Sequence, residues 1–173
     1  MSTPPPSPWG GGQPADLGMR FVARLVDFVL LGVVQGILFA GGTFLSAAVG
    51  FWPFGDAGAF RAMTGVLGSL VPALIALGYF TLMESARGQT VGKMLVRIQA
   101  RGPDGATPTF EQALKRNLWT ALGVIGVLPF VGGVLVALAQ LAAVISIAVT
   151  ISNSPARRGW HDDFAGTSVT RLA

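Results

Sequence analysis

Arg20, Arg24 and Asp27 open the stretch RFVARLVDFVLLGVVQGILF at spacings i, i+4 and i+7. At about 100° per residue they fall within an arc of about 60° on one helix face, so they can meet. If Arg20 marks a membrane interface, Asp27 lies about 10 Å farther along, inside hydrocarbon. An ionised carboxylate there costs about 2.5–3.5 kcal/mol and needs a basic partner, a wet cavity or a proton. Two uses follow: a structural ion pair with Arg24 or Arg20 that orients the helix, and a site that binds a proton or cation.

A second concentration of charge is RRGWHDDFAGTSV, residues 157–169. His161 with Asp162 and Asp163 can bind a cation weakly, although an interfacial charge cluster anchored by Trp160 is the plainer meaning. GQTVGKML, residues 88–95, has glycines ahead of Lys93, but only three residues separate Gly88 from Gly92, and Met94 stands where a magnesium-binding hydroxyl belongs. That spacing argues against a phosphate-binding loop and for a tight turn. Gln35 and Gln140 fall near mid-membrane, where amides join helices by hydrogen bonds more often than they bind substrate. The chain has no cysteine and one histidine, which removes thiolate chemistry and a histidine metal cluster. No nucleophile motif is present, so neither a cofactor nor enzymatic activity is expected.

The elements that must position these groups are apolar. Of 173 residues, 51% are hydrophobic and 12% charged, and the mean hydropathy is +0.61. Such a chain belongs in a bilayer. Apolar runs cover about 25–49, 62–83 and 118–152; the first is read as a retained helix despite SAA at 46–48. LPFVGG at 128–133 breaks the last run, and Thr109 with Gln112 can form a capping box that starts a helix ahead of it. Four transmembrane helices are therefore predicted at about 20–48, 62–84, 109–127 and 132–152, giving an all-α polytopic membrane protein. Residues 1–19, rich in Pro and Gly, read as a flexible tail or linker, with PPPSP as a partner-binding alternative; residues 20–170 form the membrane domain. In the loop, KMLVRIQA has strand character and Pro103-Asp104-Gly105 can reverse the chain, so a short β-hairpin is expected. TSVTRL at 167–172 is similar, and pairing with it would give a small cytoplasmic sheet.

Of the twelve basic residues, only Arg61 falls on the side opposite the long loop and the termini. This positive-inside bias predicts cytoplasmic N- and C-termini and a cytoplasmic loop at 85–116. Phe51, Trp52, Phe54 and Phe60 line the outer connection, and Trp119 and Trp160 fit the inner interface. The net charge of +4 is thus explained by membrane orientation, and nucleic acid is not an expected partner.

Taken together, RFVARLVD, GQTVGKMLVRI and WHDDFAGTSV resemble, in order and spacing, the RDD family of bacterial membrane proteins, named for one arginine and two aspartates. The similarity spans about residues 18–170. It implies that the three naming residues are Arg20, Asp27 and Asp162, with Asp163 as a competing match for the last. It further implies a charged cluster at the inner boundary of the bacterial cytoplasmic membrane. A transport role is commonly proposed for the family, with cation/proton antiport attributed to some members. Two readings stand: a small oligomeric transporter in which Asp27 exchanges a proton or cation, and a noncatalytic scaffold that binds other proteins through its basic loop and tail. Membrane lipid is a partner in both. The first is weakened by finding only one carboxylate within an apolar helix.

Overall fold

The computed structural model of the chain describes residues 12–48, 57–128 and 131–172. The expected outer aromatics Phe51, Trp52 and Phe54 lie outside these. Helix α1 (Leu17–Ala48) starts where the Asp16 carboxylate accepts from the Met19 backbone N–H at 2.8 Å, an N-cap. Helix α2 (Ala57–Arg87) contains Pro72 and ends at Gly88, whose φ of 67° lies in the left-handed region. A Cβ there would stand 2.7 Å from the Ala100 carbonyl oxygen. Helix α5 (Gly132–Asn153) is the third long element.

Among the described residues, three helices are long and apolar enough to cross a membrane: Leu17–Phe44, Val66–Arg87 and Gly132–Asn153. The segment expected as a further crossing is built differently. The Thr109–Gln112 capping box forms as expected and starts α4 (Phe110–Asn117), which gives way to a 3₁₀ helix, Leu118–Val127. Neither piece is by itself a helix of spanning length.

Large apolar side chains such as Phe21, Leu25, Val29, Leu138 and Leu141 are exposed, whereas Asp27, Glu84, Arg116, His161 and Asp162 are buried. This inversion of the soluble pattern places hydrocarbon outside and polar groups inside.

The turn after α2 holds a short helix, α3 (Val91–Leu95), followed by β1 (Ile98–Arg101). Lys93, Met94 and Leu95, expected in a strand, are thus helical. The hairpin does not form, but the expected pairing with the C-terminal segment does: β1 pairs antiparallel with β2 (Ser168–Arg171), in the register Ala100 opposite Val169. Pro103-Asp104-Gly105 makes a turn closed by Gly102 N–H to the Ala106 carbonyl, but β1 finds its partner in the C-terminal segment. Just ahead of β2 lies α6 (Trp160–Ala165). The end of the Pro/Gly-rich segment joins this sheet. Pro14 bridges Thr170, and Ala15 packs with Ala23, Ile98 and Val169 in a small apolar core. Residues 13–16, expected in the tail, are therefore held by β2.

Candidate functional site

Asp27, 1% exposed, pairs with neither arginine of its own helix. Its Oδ1 accepts from the Tyr79 hydroxyl at 2.8 Å and the Gly92 N–H at 2.7 Å, and its Oδ2 accepts from the Thr90 hydroxyl at 2.5 Å. All three donors are neutral. Thr90 is also the N-cap of α3, accepting from the Lys93 N–H at 3.3 Å, and Tyr79 accepts from the Val91 N–H at 3.0 Å. Asp27 is thereby clasped to the α3 turn, and only glycine fits at the contact. A Cβ on Gly92 would stand 1.9 Å from the Ala23 carbonyl oxygen.

The arginines go elsewhere. Arg20 pairs with Asp162 at 2.5 Å and donates to the Arg157 carbonyl at 2.6 Å. Arg157 presents that carbonyl from a left-handed backbone, φ 53°. Arg24 lies with its guanidinium carbon 3.9 Å from the Phe80 ring centroid and 5.5 Å from that of Trp119. Its Nη2 donates to Asn117 Oδ1 at 3.0 Å.

The apolar helices hold a second buried carboxylate, contrary to expectation. Glu84, fully buried at the end of α2, pairs with Lys93 at 2.6 Å and Arg116 at 3.2 Å and accepts from Asn117 Nδ2 at 3.0 Å. Arg116 also reaches Asp162 at 3.0 Å, so it bridges Glu84 to Asp162. The last turn of α4 supplies these groups on the helix's inward face, where Ala113, Arg116 and Asn117 are buried.

Burial alone would raise the Asp162 carboxyl, but Arg116, His161 and Arg20 outweigh it and hold it well below the usual carboxylate range. Burial lowers His161 to about 3, with Asp162 opposing and the arginines assisting, so the imidazole is neutral at pH 7. Burial likewise lowers Lys93 to about 8 against the pull of Glu84.

Of the other residues expected here, Asp163 is not in the cluster. Its side chain is 59% exposed and pairs with Arg158 at 3.0 Å, which leaves no His161–Asp162–Asp163 cation site. Gln35 and Gln140 do not join their helices: Gln35 donates to the Pro72 carbonyl at 3.2 Å. Gln140 makes no hydrogen bond among the described residues; with Gln35, Thr120 and Trp119 it lines a cleft of about 560 Å³ between the helices. Trp119 is 7% exposed, within the bundle, whereas Trp160 sits at its margin and donates to Ser146 at 2.9 Å.

Sequence reasoning missed Tyr79, Glu84, Thr90, Gly92, Arg116 and Asn117, and treated Lys93 only as a false phosphate ligand. The available signal was Glu84 itself, a carboxylate closing the second apolar helix expected at 62–84, and no role was drawn from it.

A family model described as the RDD family matches residues 14–166. The chain belongs to the RDD family. No curated protein and no solved structure matches it. Arg20 and Asp162, expected as the naming arginine and second aspartate, are direct partners. Asp27, expected as the first aspartate, instead secures the α3 turn to α1.

Proposed function

We propose that this RDD protein is a noncatalytic transport protein of the bacterial cytoplasmic membrane that exchanges a proton for a cation at Asp27. One observation carries the reading. Among three buried carboxylates, Glu84 and Asp162 are each held by two basic side chains, whereas Asp27 is held only by neutral donors. Asp27 can therefore gain or lose a proton without breaking an ion pair.

The clasp supplies a coupling. An ionised carboxylate only accepts hydrogen bonds, and a protonated one must also donate. Thr90 and Tyr79 both donate to the carboxylate, so a protonated Asp27 keeps all its bonds only if one of these hydroxyls turns from donor to acceptor; the bond it donated is lost, which weakens the hold of α3 on α1. Phe28 and Leu31, which follow Asp27 on α1, line the cleft that also holds Gln35 and Gln140, a route from mid-membrane toward the carboxylate.

The reading includes a fourth crossing and cytoplasmic termini. A 3₁₀ helix rises about 2 Å per residue, so Leu118–Val127 extends about 20 Å; with α4 the segment reaches about 32 Å, close to the hydrocarbon thickness. The strong bias of basic residues sets the orientation.

A scaffold reading is favoured by exposed Leu95, Phe110 and Phe164 on the short helices, a surface suited to protein contacts. Proton flux driven by a cation gradient, measured on purified protein in liposomes, separates the two: the transporter gives flux that Asp27→Asn abolishes, and the scaffold gives none.

A further inference from the structure

A cavity of about 100 Å³ between α1 and α5 is lined by Arg20, Arg24, Arg116, Trp119 and His161. Its charge is not balanced from within. The cluster's cations, Arg20, Arg24, Lys93 and Arg116, face the carboxylates of Asp27, Glu84 and Asp162, and His161 is neutral. Four against three leaves the cluster with one net positive charge: Arg20, Lys93 and Arg116 share Glu84 and Asp162 at ion-pair distance, and Arg24 has no carboxylate within that distance among the described residues.

The hydrogen bonding is incomplete at the same place. Arg24 Nη1 and Trp119 Nε1 are both buried without a hydrogen-bond partner, and the guanidinium lies 5.5 Å from the Trp119 ring. Buried N–H groups without an acceptor are rare. One on a guanidinium that has no ion-pair partner among the described residues, and one on the indole beside it, call for an acceptor that is also an anion. About 100 Å³ corresponds to roughly three waters of liquid volume, room for a tetrahedral oxyanion. Phe21, Val144 and Ile147 also line the cavity. Phe21 and Val144 are 59% and 40% exposed on surfaces that face hydrocarbon, so the anion that enters here comes with acyl chains.

We propose that this cavity seats the phosphate of an anionic phospholipid, with Arg24 Nη1 and Trp119 Nε1 donating to its oxygens and the acyl chains lying along α1 and α5. Arginine suits the task because its planar fork stays charged and pairs with phosphate oxygens directionally, and basic pockets between transmembrane helices are a recognised setting for anionic headgroups.

The test uses the full chain in a neutral detergent, titrated with phosphatidylglycerol, phosphatidylcholine or inorganic phosphate, with bound lipid counted by native mass spectrometry and the unfolding midpoint followed. Phosphatidylglycerol is expected to bind at one copy per chain and raise the midpoint, with little response to the other two. Trp119→Phe keeps a ring but removes the donor, and is expected to weaken phosphatidylglycerol binding about tenfold. Ile147→Trp, which fills the cavity from its lining without replacing an ionised group, is expected to weaken it as well and keeps the test open if Trp119→Phe fails to fold. A response to phosphatidylcholine equal to that for phosphatidylglycerol, a full response to inorganic phosphate, or undiminished phosphatidylglycerol binding in the folded variants overturns the proposal.

Discussion

Arg20 and Asp162, 142 positions apart, form an ion pair of 2.5 Å in which the aspartate side chain is completely buried. The pair ties the first turn of α1 to α6, and Arg116 extends the tie from Asp162 to Glu84 on α2. Four elements, α1, α6, α4 and α2, are thus joined by charges that the bilayer does not solvate.

Removing one partner of such a pair strands the other. Asp162→Asn is expected to lower stability by about 3–5 kcal/mol, measured by thermal or denaturant unfolding in detergent. Asp163→Asn, at the neighbouring exposed position, should stay within about 0.5 kcal/mol. Equal losses would show that Asp162 is not held as described.

Gly92 gives a steric test of the α3 clasp. Because an added Cβ would stand 1.9 Å from the Ala23 carbonyl oxygen, Gly92→Ala must push α3 off α1, at a cost of at least about 1–3 kcal/mol. Gly133, whose Cβ would meet nothing within 4 Å, is the control; Gly133→Ala should be neutral or stabilising by up to about 1 kcal/mol. Greater protease sensitivity near residue 90 in Gly92→Ala would confirm the displacement, and an unchanged pattern and stability would refute the contact.

His161 predicts a pH dependence with a definite sign. Its folded value of about 3 lies below the ordinary 6.5, so between these the unfolded chain binds more protons and stability falls as pH falls. The loss begins near pH 6.5 and reaches roughly 2 kcal/mol by pH 5. His161→Gln should flatten this portion of the profile; an identical slope in the variant would place the titration elsewhere.

The apolar periods made the long helices legible, because hydrocarbon demands unbroken apolar faces of known length. The Thr109–Gln112 box was legible because capping is local. The partners of Asp27 were not. Arg24 sits three residues away on the same face, yet Phe80 and Asn117 claim it, while Asp27 takes Thr90 and Gly92 from a turn more than sixty positions on. Helical spacing says which residues share a face and nothing about what is packed against that face. The strand pairing was half legible for the same reason: β character showed in both segments, but the partner of β1 is chosen by tertiary packing. The amides failed through Pro72, whose carbonyl, on α2, takes Gln35.

Orientation is tested by single cysteines at positions 56, 104 and 172 of this cysteine-free chain. An impermeant thiol reagent outside spheroplasts should label 56 and spare 104 and 172 until the membrane is opened. Labelling of 104 or 172 as readily as 56 contradicts the fourth crossing with cytoplasmic termini.

The most direct measurement is cation-driven proton flux through the purified protein in liposomes, comparing wild type, Asp27→Asn and Asp27→Glu, with unfolding measured on the same preparations. Asp27→Asn keeps the side chain's size but cannot ionise. It should abolish flux while losing less stability than Asp162→Asn, since no basic partner is stranded, and Asp27→Glu should keep some flux. Full flux from a folded Asp27→Asn would contradict the assignment of Asp27 as the exchanging group.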